Sequence, residues 1–308
     1  MTEPDAQDPH DEPEPIEFAL EPTVAGRIAR WTERARVLRA RTEAARTRHA
    51  SVDFGLALIE RDSRIGGGLL AGALAYRLFV VLLPTALLFV SGLGLYADTA
   101  DQSTSQVARK AGLHGLIASQ VAATASGRAR VLVFVLMVPA VLYATAKLYR
   151  ALAVVHAIAW QGSGRGTRLT RRGVGALLGA VAITILSAEV AGWARRQDHW
   201  GGIGALLIYI ILMGSAWLVV SMQLPHRDAR WPGLLPGALL FGAGVLFVNF
   251  FNVYVTTRLV EDRANTYGAL GIATALLFSL VLVGRVMVIS AELNAAIDDR
   301  HNLERPPP

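Results

Sequence analysis

The sequence predicts an all-α, polytopic membrane protein with six transmembrane helices, preceded by amphipathic or interfacial helices. Three observations carry that prediction. Hydrophobic residues make up 53% of the 308 positions and the mean hydropathy is +0.41, whereas a soluble domain has to cover its surface with charge. Charged residues are only 18% of the chain, and they cluster instead of spreading. Between the clusters lie apolar runs long enough to cross a bilayer core, which takes roughly 20 helical residues.

The elements follow in chain order. Residues 1–22, MTEPDAQDPHDEPEPIEFALEP, hold eight acids, no Lys or Arg, and frequent proline. Such a composition buries too little apolar surface to offset chain entropy, so a disordered acidic tail is expected. Residues 23–64 form an Arg-rich helical arm centred on RIARWTERARVLRARTEAARTRH, with Val24, Ile28, Trp31, Ala35 and Leu38 on a weak apolar face. Two readings fit the arm: an interfacial helix on anionic lipid or a solvated helix. The amphipathic segment VDFGLALIERD leads into a membrane domain at 65–297. About sixty polar residues before the first span are too many for a cleavable leader.

Spans are predicted at 66–95, 131–157, 174–194, 203–222, 233–256 and 267–292, with a tail at 298–308. Trp160, Trp193, Trp200 and Trp231 sit at span ends, where amphipathic rings favour the headgroup level. In the long connection 98–130, QVARKAGLHGLIASQVAATA has apolar residues near helical spacing. It predicts a helix lying on the outer face. Eighteen Lys or Arg residues fall on the side of the termini and eight on the other, so both termini are expected in the cytoplasm of a cell with an inner membrane. A near-repeat, LLPTALLF at 82–89 and LLPGALLF at 234–241, sits at different depths in its two spans. It does not match an equal-halves transporter repeat.

Three blocks carry a family resemblance. LAYRLFVVLLP at 74–84, with Ala75, Tyr76, Leu82 and Pro84, resembles the first-span signature of the YihY/BrkB family of inner-membrane proteins. LPHRDARWPGLLPGALL at 224–240 is similar to that family's approach to the fifth span. YGALGIATALL and SAELNAAI within 267–297 resemble its last block, with Tyr267, Gly268, Glu292, Leu293 and Asn294 in place. LYRALAVVHAIAW at 148–160 is a looser match. The chain departs from the pattern at Arg77, Val81, Ala153 and Ser290, and it lacks the last-span tryptophan. Members have been labelled ribonuclease BN and virulence factor, and some are linked to export of envelope lipid or lipopolysaccharide. The resemblance therefore implies a membrane protein of the envelope, with transport as one implied activity.

Enzymatic chemistry finds little support in the residues. There are no cysteines, which excludes disulfides, thiolate metal sites and cysteine nucleophiles. Metal-dependent RNA hydrolysis needs clustered His, Asp or Glu. The seven histidines, His10, His49, His114, His156, His199, His226 and His301, show no metal-ligand spacing. The only lysines, Lys110 and Lys147, lie outside any glycine-rich phosphate loop, and no nucleophile elbow occurs. GSGRG at 162–166 reads as a flexible linker. No catalytic residue, cofactor or metal is expected. The expected partners are the bilayer and its anionic lipids, and no nucleic acid.

What remains are polar side chains inside the spans: Tyr76, Arg77, Lys147, Arg150, Glu189, Asn249, Asn252, Arg285 and Glu292. A mid-bilayer arginine costs at least ~2.5 kcal/mol, so such groups should face protein or water. Arg77 lies roughly 18 Å along a helix from Ile65, too deep for easy snorkelling, and suits an anionic substrate such as a lipid phosphate. Lys147 and Arg150 either snorkel to headgroups or line a substrate path. Glu189 and Glu292 either pair with an arginine or serve the path, and Arg285 shares a helix face with Glu292. Asn249 and Asn252, with Tyr254, fit helix–helix hydrogen bonds as well as ligand contacts. Pro84, Pro139 and Pro236 should kink or start helices and free carbonyls. The sequence thus leads to a carrier of an anionic envelope lipid or related solute, with a non-transporting membrane scaffold as the alternative.

Overall fold

The computed structural model describes residues 50–99, 128–161, 169–194, 199–227, 229–252 and 257–303, with isolated positions between 26 and 46. Side chains at 188–201 and 253–273 lie outside that description. So do the acidic tail, the helix expected within 100–127, the GSGRG loop and Tyr254. The chain divides into two compact units, Met1–Ala57 and Leu58–Pro308. In the first, Arg46 Nε donates to Asp53 Oδ1 at 2.7 Å.

The long described elements are all helices: α1 Ala50–Ile65, α2 Gly67–Thr99, α3 Arg128–Ala159, α4 Arg171–Ala194, α5 His199–Ser221, α6 Trp231–Phe251 and α7 Thr257–Leu303. Five stretches among the described residues are long and apolar enough to cross a membrane: Gly67–Asp98, Arg128–Ala159, Gly202–Ser221, Trp231–Phe251 and Thr274–Asn302. The third span that the sequence predicts, 174–194, falls in α4, which is not among these five and whose side chains are described only as far as Ser187.

Local signals set the helix ends. Gly66, at φ 69°, separates α1 from α2, a left-handed conformation that glycine adopts without steric cost. Its carbonyl accepts from Leu69 N at 2.9 Å and so starts α2. Thr170 caps α4, its Oγ1 accepting from Gly173 N at 3.1 Å. Pro232 stands in the first turn of α6 behind the extended Arg230, where a missing N–H costs nothing. Pro84, Pro139 and Pro236 all lie inside helices. Thr85 Oγ1, next to Pro84, donates to the Val81 carbonyl at 2.7 Å.

Within the second unit, neighbouring helices run in the order α3, α2, α7, α6, α5, α4, and lesser contacts of α3 with α4 and α7 close the bundle. Leu74, Leu148, Leu152, Val220 and Val288 fill the centre, and Trp217 stacks on Phe241 at 4.4 Å between centroids. The outward faces stay apolar. Leu69 is 82% exposed, Leu186 66% and Phe247 65%, an arrangement that suits lipid and would be a liability in water.

Small residues let the helices approach closely. A Cβ on Gly237 would sit 2.3 Å from the Ser290 carbonyl, and one on Gly242 would sit 2.3 Å from the Ile210 carbonyl. α6 therefore rests on α7 and α5 through backbone. Without a hydrophobic driving force between spans, such close packing is a main source of association in a bilayer.

Candidate functional site

Besides the Arg130–Asp98 pair at one end of α2 and α3, closed at 2.7 Å, two regions of the bundle hold charge. The first lies along α2 and α3. Gly92 of α2 lies against the Phe134 ring of α3, and Arg130 Nη1 donates to the Gly94 carbonyl at 3.0 Å, so the two helices run antiparallel in a fixed register. At 1.5 Å per residue, Arg77 lies about 23 Å back from Gly92, and Lys147 and Arg150 lie about 20 and about 24 Å beyond Phe134. The three cations therefore share one level of the pair. Arg77 is half-buried beneath the exposed Tyr76, its Cζ 5.8 Å from the ring centroid. Lys147 Nζ lies 5.1 Å from the Tyr143 ring centroid, and Arg150 is exposed. No carboxylate among the described residues bonds any of the three. At desolvated sites such cation–ring contacts are worth about 2 kcal/mol.

The second region gathers where α3 ends and α2 begins. Arg285 forks onto Asp62, Nη1 to Oδ1 and Nη2 to Oδ2, both at 2.6 Å. Arg61 reaches Asp299 Oδ2 at 2.8 Å and the Ala159 carbonyl at 2.6 Å. Arg227 takes the other Asp299 oxygen at 2.8 Å. Glu292 is fully buried, and neither carboxyl oxygen has a hydrogen-bond partner among the described residues. The charged groups that act on it are Asp62, Arg285 and Arg61.

Around this cluster the helices are tied by uncharged polar bonds. Asn294 Oδ1 accepts from Gly237 N at 2.7 Å and its Nδ2 donates to the Leu234 carbonyl at 3.2 Å, so one amide side chain clamps α7 to the backbone of α6. Trp217 Nε1 donates to Ser290 Oγ at 2.9 Å, and Ser290 Oγ in turn donates to the Met287 carbonyl at 2.8 Å. His156, buried beside Trp217, points Nδ1 at the Leu152 carbonyl at 3.1 Å. Tyr149 hydroxyl donates to the Gln223 carbonyl at 2.5 Å.

The structure separates residues that the sequence grouped together. Arg285 and Glu292 belong to the second region, whereas Tyr76, Arg77, Lys147 and Arg150 belong to the first. Asn249 lies within hydrogen-bonding reach of the Tyr209 hydroxyl, as does Ser187, and Asn252 Oδ1 accepts from Ser279 Oγ. Asn252 thus makes a helix–helix bond, and Asn249 acts on Tyr209 of α5. Glu189 lies in α4 with its side chain outside the described residues. Among the described residues, no three His, Cys, Asp or Glu side chains are grouped to hold a metal.

The virulence factor BrkB family matches residues 58–308. The chain belongs to that family. No curated protein and no solved structure matches it. The BrkB match starts at Leu58, the first residue of the second compact unit, and so takes in Arg61 and Asp62. These two residues read, in the sequence, as the end of a basic arm. Arg285 finds Asp62 across 223 positions and Arg61 finds Asp299 across 238, and no local pattern announces pairings of that range. The Asn294 clamp had a faint signal, since Asn294 stands in the BrkB-like block SAELNAAI.

Proposed function

We propose that this integral membrane protein carries an anionic envelope lipid, or a related anionic solute, across or within the inner membrane, and that it is not an enzyme. The observation that supports the reading most is the shared level of Arg77, Lys147 and Arg150 on α2 and α3, with no carboxylate bond among the described residues. Cations within a span are costly unless something compensates them, and a lipid phosphate supplies the missing charge through charge-assisted hydrogen bonds. Tyr76 and Tyr143 would hold the guanidinium and ammonium groups ready beside an amphiphile's polar part. Bilayer anionic lipids are thus both surroundings and substrate class.

The test is lipid translocation in reconstituted vesicles that contain a fluorescent phosphatidylglycerol. Wild type should move the probe between leaflets, and Arg77→Leu with Lys147→Leu should stop it while leaving insertion intact. Equal rates for wild type and the double variant would overturn the reading. Six spans with both termini cytoplasmic belong to the same proposal. Reporter fusions at Gly164 and His114 should report opposite compartments, and a shared compartment would overturn that topology.

A second reading, a non-transporting membrane scaffold, draws on one specific observation. Arg285 is closed on Asp62 and Glu292 is sealed from solvent, which is how structural charge in a bundle looks. On this reading the translocation assay gives no movement for wild type either.

A further inference from the structure

Glu292 is fully buried, and neither of its oxygens has a hydrogen-bond partner among the described residues. An ionised carboxylate in that position is expensive unless it is paired and bonded. The cations that could pair with it are already engaged. Arg285 Nη1 and Nη2 each bond one Asp62 oxygen. Arg61 spends Nη1 on Asp299 and Nη2 on the Ala159 carbonyl, and Arg227 bonds the other Asp299 oxygen.

Asp62 is the acid that acts on Glu292, and Arg285, on the same face of α7 as Glu292, holds it there through both oxygens. Neither carboxylate has a hydrogen to offer, so the pair can bond only through a proton. Two carboxyl groups held together in this way cannot both stay ionised, and they commonly share one proton. Arg285 holds Asp62 in the correct orientation to receive it, through both oxygens at once. His156 on α3 and His226 between α5 and α6 act on each other, and neither is among the groups that act on Glu292.

We propose that Glu292 and Asp62 form a proton-binding carboxyl pair, with one proton held between α7 and α1 and Arg285 as its positioning residue. The proton is the ligand, and the site exists whether or not the protein carries lipid. Loss of the proton leaves two negative charges facing each other and drives α1 and α7 apart at that end. The pair thereby links the proton concentration on its side of the membrane to the packing of the two helices.

The test uses the full chain in lipid nanodiscs, with infrared absorption and thermal unfolding read across pH. The expected spectrum shows the carbonyl band of a protonated carboxylic acid at neutral pH, which is lost in Glu292→Gln and in Asp62→Asn. Ordinary carboxylates have released their protons by neutral pH, so the folded protein would hold one proton more than the unfolded chain. Its stability should then be fully present at low pH and fall as pH rises. Wild-type Tm should drop by several degrees from about pH 6 to about pH 9. Glu292→Gln, which keeps the shape of the protonated acid, should lose most of that slope. Absence of the band in wild type overturns the proposal, as does its persistence in Glu292→Gln. A Tm that rises with sodium chloride but not choline chloride at fixed pH also overturns it, since a metal cation would then occupy the place of the proton. The wild-type titration and the Asp62→Asn spectrum decide the matter even if Glu292→Gln fails to fold.

Discussion

Arg77, Lys147 and Arg150 on the α2–α3 pair bond no carboxylate among the described residues, whereas Arg61, Arg227 and Arg285 at the α1–α7 end each meet an acid. The two regions sit in one bundle and face the same problem, charge in apolar surroundings, and they solve it in opposite ways. At the α1–α7 end the charges are neutralised by partners far away in the chain, so they become part of the architecture. Along α2 and α3, apart from Arg130 closed on Asp98, the cations stay partly exposed, and the rings of Tyr76 and Tyr143 face Arg77 and Lys147. Such groups remain open to an anion from outside the chain. The difference teaches where to look for function and where for stability: a cation already closed on an acid has little left to give a ligand.

Four experiments would break or sharpen that contrast, the largest effect first. Arg285→Leu strands Asp62 beside Glu292. Breaking a fully buried pair costs about 3–5 kcal/mol, and since Arg285 keeps 35% of its side chain exposed, a loss of about 2–3 kcal/mol is expected. Chemical unfolding in detergent measures it, and adding Asp62→Leu should restore much of the loss. A single variant as stable as wild type would remove the architectural role from this end.

Asn294→Ala comes next. It unclamps α7 from the Gly237 N–H and the Leu234 carbonyl, and orphaned buried groups cost about 1–3 kcal/mol. We expect about 2 kcal/mol by the same unfolding measurement. Trp217→Phe should cost less, about 1 kcal/mol, because it loses the bond to Ser290 while the stack on Phe241 survives. A loss for Trp217→Phe as large as for Asn294→Ala would show that the bond to Ser290 ties α5 to α7 as firmly as Asn294 ties α6 to α7.

The smallest effect on stability, and the most telling for the other region, belongs to Arg77→Leu. With no acid stranded among the described residues, the unfolding free energy should stay within about 0.5 kcal/mol of wild type. Translocation should nonetheless be lost, and Arg77→Lys should keep part of it. A strongly destabilised Arg77→Leu would place this cation with the architectural ones and erase the contrast.

Much of the fold was legible without coordinates. The bounds expected for the first, second and fourth spans, and the start of the fifth, lie within a few residues of those seen in α2, α3, α5 and α6, because apolar runs and their Trp and Arg borders are local signals. The last helix was less so. A span expected at 267–292 is one stretch of a helix from Thr257 to Leu303, since nothing in SAELNAAIDDRHNL breaks a helix where the apolar run ends. Intramembrane arginines stood out by rarity alone. The acids that answer them did not, because Asp62 lies in a charged run and looks solvated by its neighbours.

By itself the sequence determined that this chain is helical, that it lives in a membrane and that it belongs among BrkB proteins, because hydropathy, helix length and short motifs are properties of contiguous residues. Only the tertiary structure decided which charges are spent. Glu292 and Arg285 share a helix face, and a reading along the chain pairs them. Yet the Arg285 fork closes on Asp62, since α7 comes so close to the start of α2 that a Cβ on Gly284 would sit 2.6 Å from the Ala71 carbonyl. That approach carries the end of α1 to the α7 carboxyl, and it leaves Glu292 buried with another acid beside it.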